Sequence, residues 1–225
     1  GFKTPNYAHM SVTISQGGGK LSKREKPKAL LAAIKAHENI DLEKLASVGG
    51  ISLEEINDFI AGNSMPDMPA VDTMAKYLGV HLPEINVVDF FKSGYLPETM
   101  INFLALLGWS PGDKREVMPV KELIECFDIT RLAKANSFFD RDKLIAFNTE
   151  HIRMVGEDKL LEHFRNYLKA IDSPVLAADD TTLRTLLRIN AGARTLADID
   201  RKSRFLFMQN DRVEYDDAAV KKILL

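Results

Sequence analysis

One cysteine in 225 residues, Cys126, excludes an internal disulfide and any zinc site built on several cysteines. It lies in Leu123-Ile124-Glu125-Cys126-Phe127, an apolar-periodic stretch where a small buried hydrophobe is expected. No apolar run approaches the length of a membrane span, and no signal-peptide pattern opens the chain. A membrane partner is therefore not expected, and the cytoplasm is the expected compartment. The histidines, His9, His37, His81, His151 and His163, never fall at a metal-binding spacing such as His-Glu-x-x-His, so no metal site is expected. A strong charge of one sign is also missing. The formal net charge is −2, a balance that argues neither for nor against nucleic acid.

The distribution of charge says more than its sum. Between residues 41 and 89 the acids are Asp41, Glu43, Glu54, Glu55, Asp58, Asp67, Asp72, Glu84 and Asp89, against Lys44 and Lys76 alone. The remainder is net basic, with positive charge gathered over 20–28 and 184–204, where an approach to phosphate is expected.

Periodicity predicts a mainly α chain of helical bundles with a short β element at the N-terminus. Residues 9–15 alternate with β-branched positions and read as a strand that ends at Gly17-Gly18-Gly19. Helices are expected over 28–35, 96–107, 120–127, 140–153, 158–170, 179–189, 195–207 and 216–225. In the second of these, Met100, Phe103, Leu104 and Leu107 share one face, with Gly108 as its stop and Pro111-Gly112-Asp113 as the following turn. Asp179-Asp180 and Thr195 are expected caps rather than acid–base machinery.

Lys20-Leu21-Ser22-Lys23-Arg24 follows the three glycines, so two lysines flank a serine on a hinged loop. A flexible ammonium there can follow charge as it develops on departing phosphate oxygens. Around it stand Phe2-Lys3-Thr4-Pro5, Tyr7-Ala8-His9-Met10 and Gly-Gly-Gly-Lys-Leu-Ser-Lys-Arg. Further on come Gly94-Tyr95-Leu96-Pro97-Glu98, then Asn102-Phe103-Leu104-Ala105-Leu106-Leu107-Gly108-Trp109-Ser110-Pro111-Gly112-Asp113. Last come Phe139-Asp140-Arg141-Asp142-Lys143-Leu144, Asn148 and His151-Ile152-Arg153. In this order the motifs resemble the bacterial-type glutamyl-tRNA synthetases, class I aminoacyl-tRNA synthetases, from the lysine-serine-lysine loop onward. The resemblance covers 1–26 and 86–225. Ser11 stands where the family usually has proline, and Ala146-Phe147 where it usually has tryptophan, which bears on packing rather than chemistry. The family's His-x-Gly-His motif does not occur, so the chain is expected to be a fragment that does not aminoacylate tRNA unaided.

Roughly sixty residues separate the loop from the Gly-Tyr-Leu-Pro motif where the family has a short connection, well beyond ordinary loops. Within them Leu45-Ala46-Ser47-Val48-Gly49-Gly50-Ile51-Ser52, then Ile56, Phe59, Gly62 and Pro66, resemble the helix-turn-helix of phage-repressor-type domains. Its candidate recognition helix, 52–61, offers Glu54, Glu55, Asn57 and Asp58 outward, and a DNA groove would repel the three acids. DNA is therefore not an expected partner. A packing role or a protein partner is expected for this insertion.

The resemblance divides the chain into 1–26, the end of a catalytic domain with its ATP loop; 27–86, the insertion; 87–155, a stem-contact region; and 156–225, part of an anticodon-binding helical domain. It implies a glutamate–tRNA ligase that uses ATP, with magnesium, glutamate and tRNA. It assigns Lys23 and Lys20 to the phosphates as catalytic groups and Ser22 to loop geometry, and leaves Arg24 either at phosphate or in solvent. Lys134, Arg153, Arg188, Arg194, Arg201 and Arg204 are candidates for tRNA phosphate. His151 is open between tRNA backbone and a structural role, and Trp109 between a base and the core. A stand-alone tRNA- or protein-binding module derived from a synthetase is the alternative, and a glutamine-charging relative a further one.

Overall fold

The computed structural model describes residues 2–15, 19, 22–37 and 39–208. Two compact units divide the chain: residues 17–89, and residues 1–16 together with 90–225. The helix expected over 216–225 and Lys20 lie outside the described residues.

The smaller unit is built from α1 (Glu25–Ala36), α2 (Leu42–Gly49), α3 (Leu53–Ala61) and α4 (Met68–Tyr77), with the start of α5 (Val87–Lys92) at its exit. Its short helices are punctuated by side chains that satisfy their first turns. Asp41 accepts from the Lys44 N–H and Asp67 from the Ala70 N–H, while Ser52 and Glu55 cap each other reciprocally at the start of α3. Gly50 ends α2 at φ +68°, and a Cβ on Gly49 would lie 2.9 Å from Met74 Cγ, so the glycine pair serves both the turn and the approach of α4. Leu30, Ile34, Leu45, Ala46, Ile56, Phe59, Val71 and Met74 close the core.

In the larger unit β1 (Thr13–Ile14) pairs in parallel with β2 (Ser137–Phe138), Thr13 opposite Ser137. The strand expected over 9–15 shrinks to these two residues, because a strand extends only as far as its partner's ladder and β2 is two residues long. Six helices follow: α6 (Pro97–Leu106), α7 (Val120–Cys126), α8 (Arg141–Met154), α9 (Glu157–Ala170), α10 (Asp180–Ile189) and α11 (Leu196–Ser203). The helix expected over 195–207 tightens after Ser203 into a 3₁₀ turn, Arg204–Phe207. Leu161, Phe164, Leu168, Leu183, Leu187, Leu196 and Ile199 form the core of α9–α11. A second apolar layer is aromatic, with Phe103 edge-on to both Phe139 and Phe147.

α6 departs from the apolar face expected of it. Its buried side chains are Thr99, Asn102 and Phe103, while Leu104 is 46% exposed. Trp109 is in the core, its indole N–H donating to the Asp128 carbonyl at 3.0 Å, and Cys126 is half-buried as a small hydrophobe.

Gly94 sits at φ +84° and its carbonyl accepts from the Leu196 N–H at 3.0 Å. A Cβ there would come within 2.4 Å of the Ala197 backbone nitrogen, an atom that cannot swing aside. Gly94→Ala is expected to lower unfolding free energy by about 2–4 kcal/mol, read by urea denaturation, whereas Gly156→Ala, with open space around it, is expected to leave the midpoint nearly unchanged.

Candidate functional site

Ser22, Lys23 and Arg24 form the turn that opens α1. The Glu25 N–H donates to the Ser22 carbonyl at 3.1 Å and the Arg24 N–H to Ser22 Oγ at 3.3 Å, so the serine shapes the turn from within. Lys23 and Arg24 are exposed. Arg24 occupies the N-cap position without giving a side-chain cap, and Pro27 stands in the first turn, where its missing N–H costs nothing. The result is an exposed ammonium beside the positive end of a twelve-residue helix, an arrangement suited to an anion. Lys26 differs from its neighbours: it is 5% exposed and ion-paired.

The motif residues Asn102, Asn148 and His151 are buried, and they join backbone segments that helices alone would leave apart. Asn148 Oδ1 accepts from the Leu96 N–H and from Thr99 Oγ1, both at 2.9 Å. Its Nδ2 donates to the carbonyls of Arg194 at 2.7 Å and Gly94 at 3.4 Å. Asn102 Oδ1 accepts from the Met118 N–H at 2.9 Å and from His151 Nε2 at 3.0 Å, while its Nδ2 donates to the Glu116 carbonyl. Because that oxygen can only accept, His151 carries its proton on Nε2. Burial lowers the His151 pKa, and the charge of Glu98 only partly opposes this. Next to it Glu98 pairs with Lys159 and with His163 Nε2 at 3.1 Å. Burial raises its pKa, but hydrogen bonds from Lys159, its own backbone N–H and His163 outweigh that and leave it lowered.

The candidate phosphate-binding cations fall into two groups. Arg153 pairs with Glu150 at 2.7 Å, Arg188 with Glu157 at 2.8 Å, Arg201 with Asp198 at 2.7 Å and Arg204 with Asp200 at 2.5 Å. Lys134 and Arg194 are exposed without such a pair among the described residues. Lys134 lies between Ala133 and Ala135, which line a cavity of about 250 Å³ with Phe103, Phe138 and Lys143. Sequence reasoning missed Lys26, Glu98 and Thr99. Of these only Glu98, inside the Leu-Pro-Glu motif, carried a signal. Among the described residues no group of three or more His, Cys, Asp or Glu could hold a metal ion, and no helix is long and apolar enough to cross a membrane.

Residues 82–146 match the family described as tRNA synthetases class I (E and Q), catalytic domain, and residues 31–85 match the family described as helix-turn-helix. The chain is 37% identical over 131 residues to a glutamate–tRNA ligase of Porphyromonas gingivalis, and 40% identical over 91 residues to one of Thermobifida fusca. These alignments cover 58% and 40% of this chain, and 25% and 19% of the relatives. The chain thus spans less than a third of the length of these curated relatives. A crystal structure of a glutamate tRNA ligase from Elizabethkingia meningosepticum, solved with its amino acid, has a similar fold. Its TM-score is 0.55 at 22% identity, covering 98% of this chain and 36% of that one.

Asn148→Ala strands the Leu96 N–H, the Thr99 hydroxyl and the Arg194 carbonyl inside the protein, and is expected to lower unfolding free energy by about 3–5 kcal/mol in urea. His151 has its own pH signature. Its folded pKa is depressed, so the unfolded chain binds the extra proton, and the stability it contributes is present above about pH 6.5 and lost as pH falls below it. The urea midpoint is expected to drop between pH 7 and pH 5, and His151→Gln, which can still donate to Asn102, should flatten that drop.

Proposed function

We propose that this chain, a segment related to class I glutamate–tRNA ligases over more than half its length, serves such a ligase as its phosphate-contacting loop and much of its tRNA-holding surface. The observation that carries this reading is the 37% identity over 131 residues to a glutamate–tRNA ligase. In the complete reaction glutamate attacks the α-phosphorus of ATP, giving glutamyl-adenylate and pyrophosphate, and a terminal ribose hydroxyl of tRNA then takes the glutamyl group. Lys23 meets the departing phosphates, where a point-charge ammonium follows the growing charge more freely than a planar guanidinium. Lys20 assists it and Ser22 holds the turn. Magnesium would come with the nucleotide, since the described side chains offer no metal cage.

The domain roles belong to the same proposal: residues 1–26 complete a catalytic domain, 87–155 meet the tRNA stem, and 156–225 belong to the anticodon-binding helices. Lys134 and Arg194 are the first candidates for phosphate contact. The four paired arginines hold phosphate only by sharing a guanidinium that has five donors. The insertion, 27–86, serves packing or a protein contact, because the exposed Glu54, Glu55 and Asp58 would be repelled by DNA. The cytoplasm is the proposed compartment.

Filter retention of tRNA by this chain across a salt series tests the reading, with ATP as a separate titrant. Saturable retention that falls steeply with salt is expected, and Lys134→Ala or Arg194→Ala should each lower the log–log salt slope by about one. No retention even at low salt overturns it.

A further inference from the structure

The smaller unit contains a buried cation within the basic run over 20–28, where charge available to phosphate is expected. Lys26, in the first turn of α1, is 5% exposed. Its Nζ lies 3.1 Å from Asp89 Oδ1 and 3.3 Å from Asp72 Oδ1. Asp89 is itself held, its Oδ2 accepting from the Ile85 N–H at 3.0 Å and the Asn86 N–H at 2.8 Å. Burial alone would lower the Lys26 pKa, but the hydrogen bonds to Asp89 and Asp72 outweigh it and raise it, so the cation stays charged in place. One ammonium therefore ties together the start of α1, the middle of α4 and the turn by which the chain leaves the unit.

This tie sits three residues after Lys23. Leu30 and Ile34 anchor the rest of α1 in the core, and the hydrogen bonds seen within 22–25 are local to the turn. The direction in which Lys23 projects is then inherited from the first turn of α1, whose position the Lys26 pairs fix. We propose that Lys26, through Asp89 and Asp72, is a positioning residue for the Ser22-Lys23-Arg24 turn, making the inserted unit the mount on which the phosphate-contacting lysine is carried. The role of Lys23 rests on the function proposed above; the mount itself does not.

Three variants of the full chain test the mount by residue-resolved amide exchange: Lys26→Met, which keeps the length of the side chain, Asp89→Asn and Asp72→Asn. Loss of one charged hydrogen bond sets a scale of about tenfold for the expected speeding of exchange at the hydrogen-bonded amides of Arg24, Glu25 and Lys28. Exchange at Leu45, Ile56 and Val71 in the core should change far less. Unaltered exchange at those three turn amides overturns the proposal. Equal acceleration of turn and core also overturns it, since that marks a general contribution to stability. Inorganic tripolyphosphate, titrated at low salt, tests the phosphate role separately. Asp89→Asn makes the region more positive, so simple attraction predicts tighter binding, whereas positioning predicts weaker binding. Tighter binding counts against the mount. If the wild-type chain and Lys23→Ala respond alike to tripolyphosphate, the phosphate role of Lys23 fails, and the exchange data still decide on Lys26.

Discussion

Asn148 is buried and makes hydrogen bonds to four different groups, three of them backbone. A buried amide that lost its partners would cost more than each bond contributes net, so the three segments it touches have little freedom to move apart. Those segments are the turn at Gly94, the start of α6 at Leu96 and Thr99, and the loop at Arg194 that leads into α11. Asn102 repeats the device one turn further along α6, holding the Glu116–Met118 segment and the imidazole of His151. Gly94 belongs to the same constraint, because its carbonyl also receives the Leu196 N–H and its missing Cβ lets that backbone approach. The larger unit is thus fixed at its centre by polar contacts of defined direction, and the apolar clusters around them fill space.

Placed this way, the polar motif residues have architectural jobs, and any chemistry must come from groups at the surface. That separates two kinds of cation. Arg184 and Arg188 reach from α10 back to Glu157 and Asp158, at the N-terminus of the neighbouring α9, where the acids also complement the helix dipole. Such arginines are partly committed before any nucleic acid arrives. Exposed pairs of this kind contribute little to stability, so their charge is not lost to a phosphate that offers a better bidentate partner. Lys134 and Arg194 carry no such commitment among the described residues, and Lys23 extends from a turn whose own hydrogen bonds are already made.

Much of the fold was legible in the sequence because helices announce their ends locally. Asp179, Thr195, Ser52 and the glycine pair at 49–50 each sit within four residues of the groups they satisfy, and the helices begin or stop beside them. What failed was non-local. The strand at 13–14 ends where a partner more than a hundred residues away ends, and nothing near it in the sequence says so. α6 was read by its leucines, yet it buries Thr99 and Asn102, since their partners lie on α8 and on the loop after Glu116. The basic run over 20–28 reads as charge available to phosphate, and Lys26 departs from it because its acids are 46 and 63 residues further on.

The same pair of acids explains how a segment of this size can stand where a short connection is expected. Closing a long loop costs only slowly more as it lengthens, but a folded insertion must also bring its two ends together or it will pull on the elements at each side. Here the first helix of the smaller unit and the turn that leaves it meet at one salt bridge, Lys26 to Asp89, with Asp72 as a second acid on the same ammonium. The core of Leu30, Leu45, Ile56 and Met74 then folds around that closed base as a unit of its own. Surface acids on α3 are free to face solvent without disturbing the core, because the capping box of Ser52 and Glu55 already satisfies that helix's first turn. An inserted unit closed at its base can vary its outer face without altering where it joins the chain. That is why its acidic outer face and the buried salt bridge at its base can answer to different constraints.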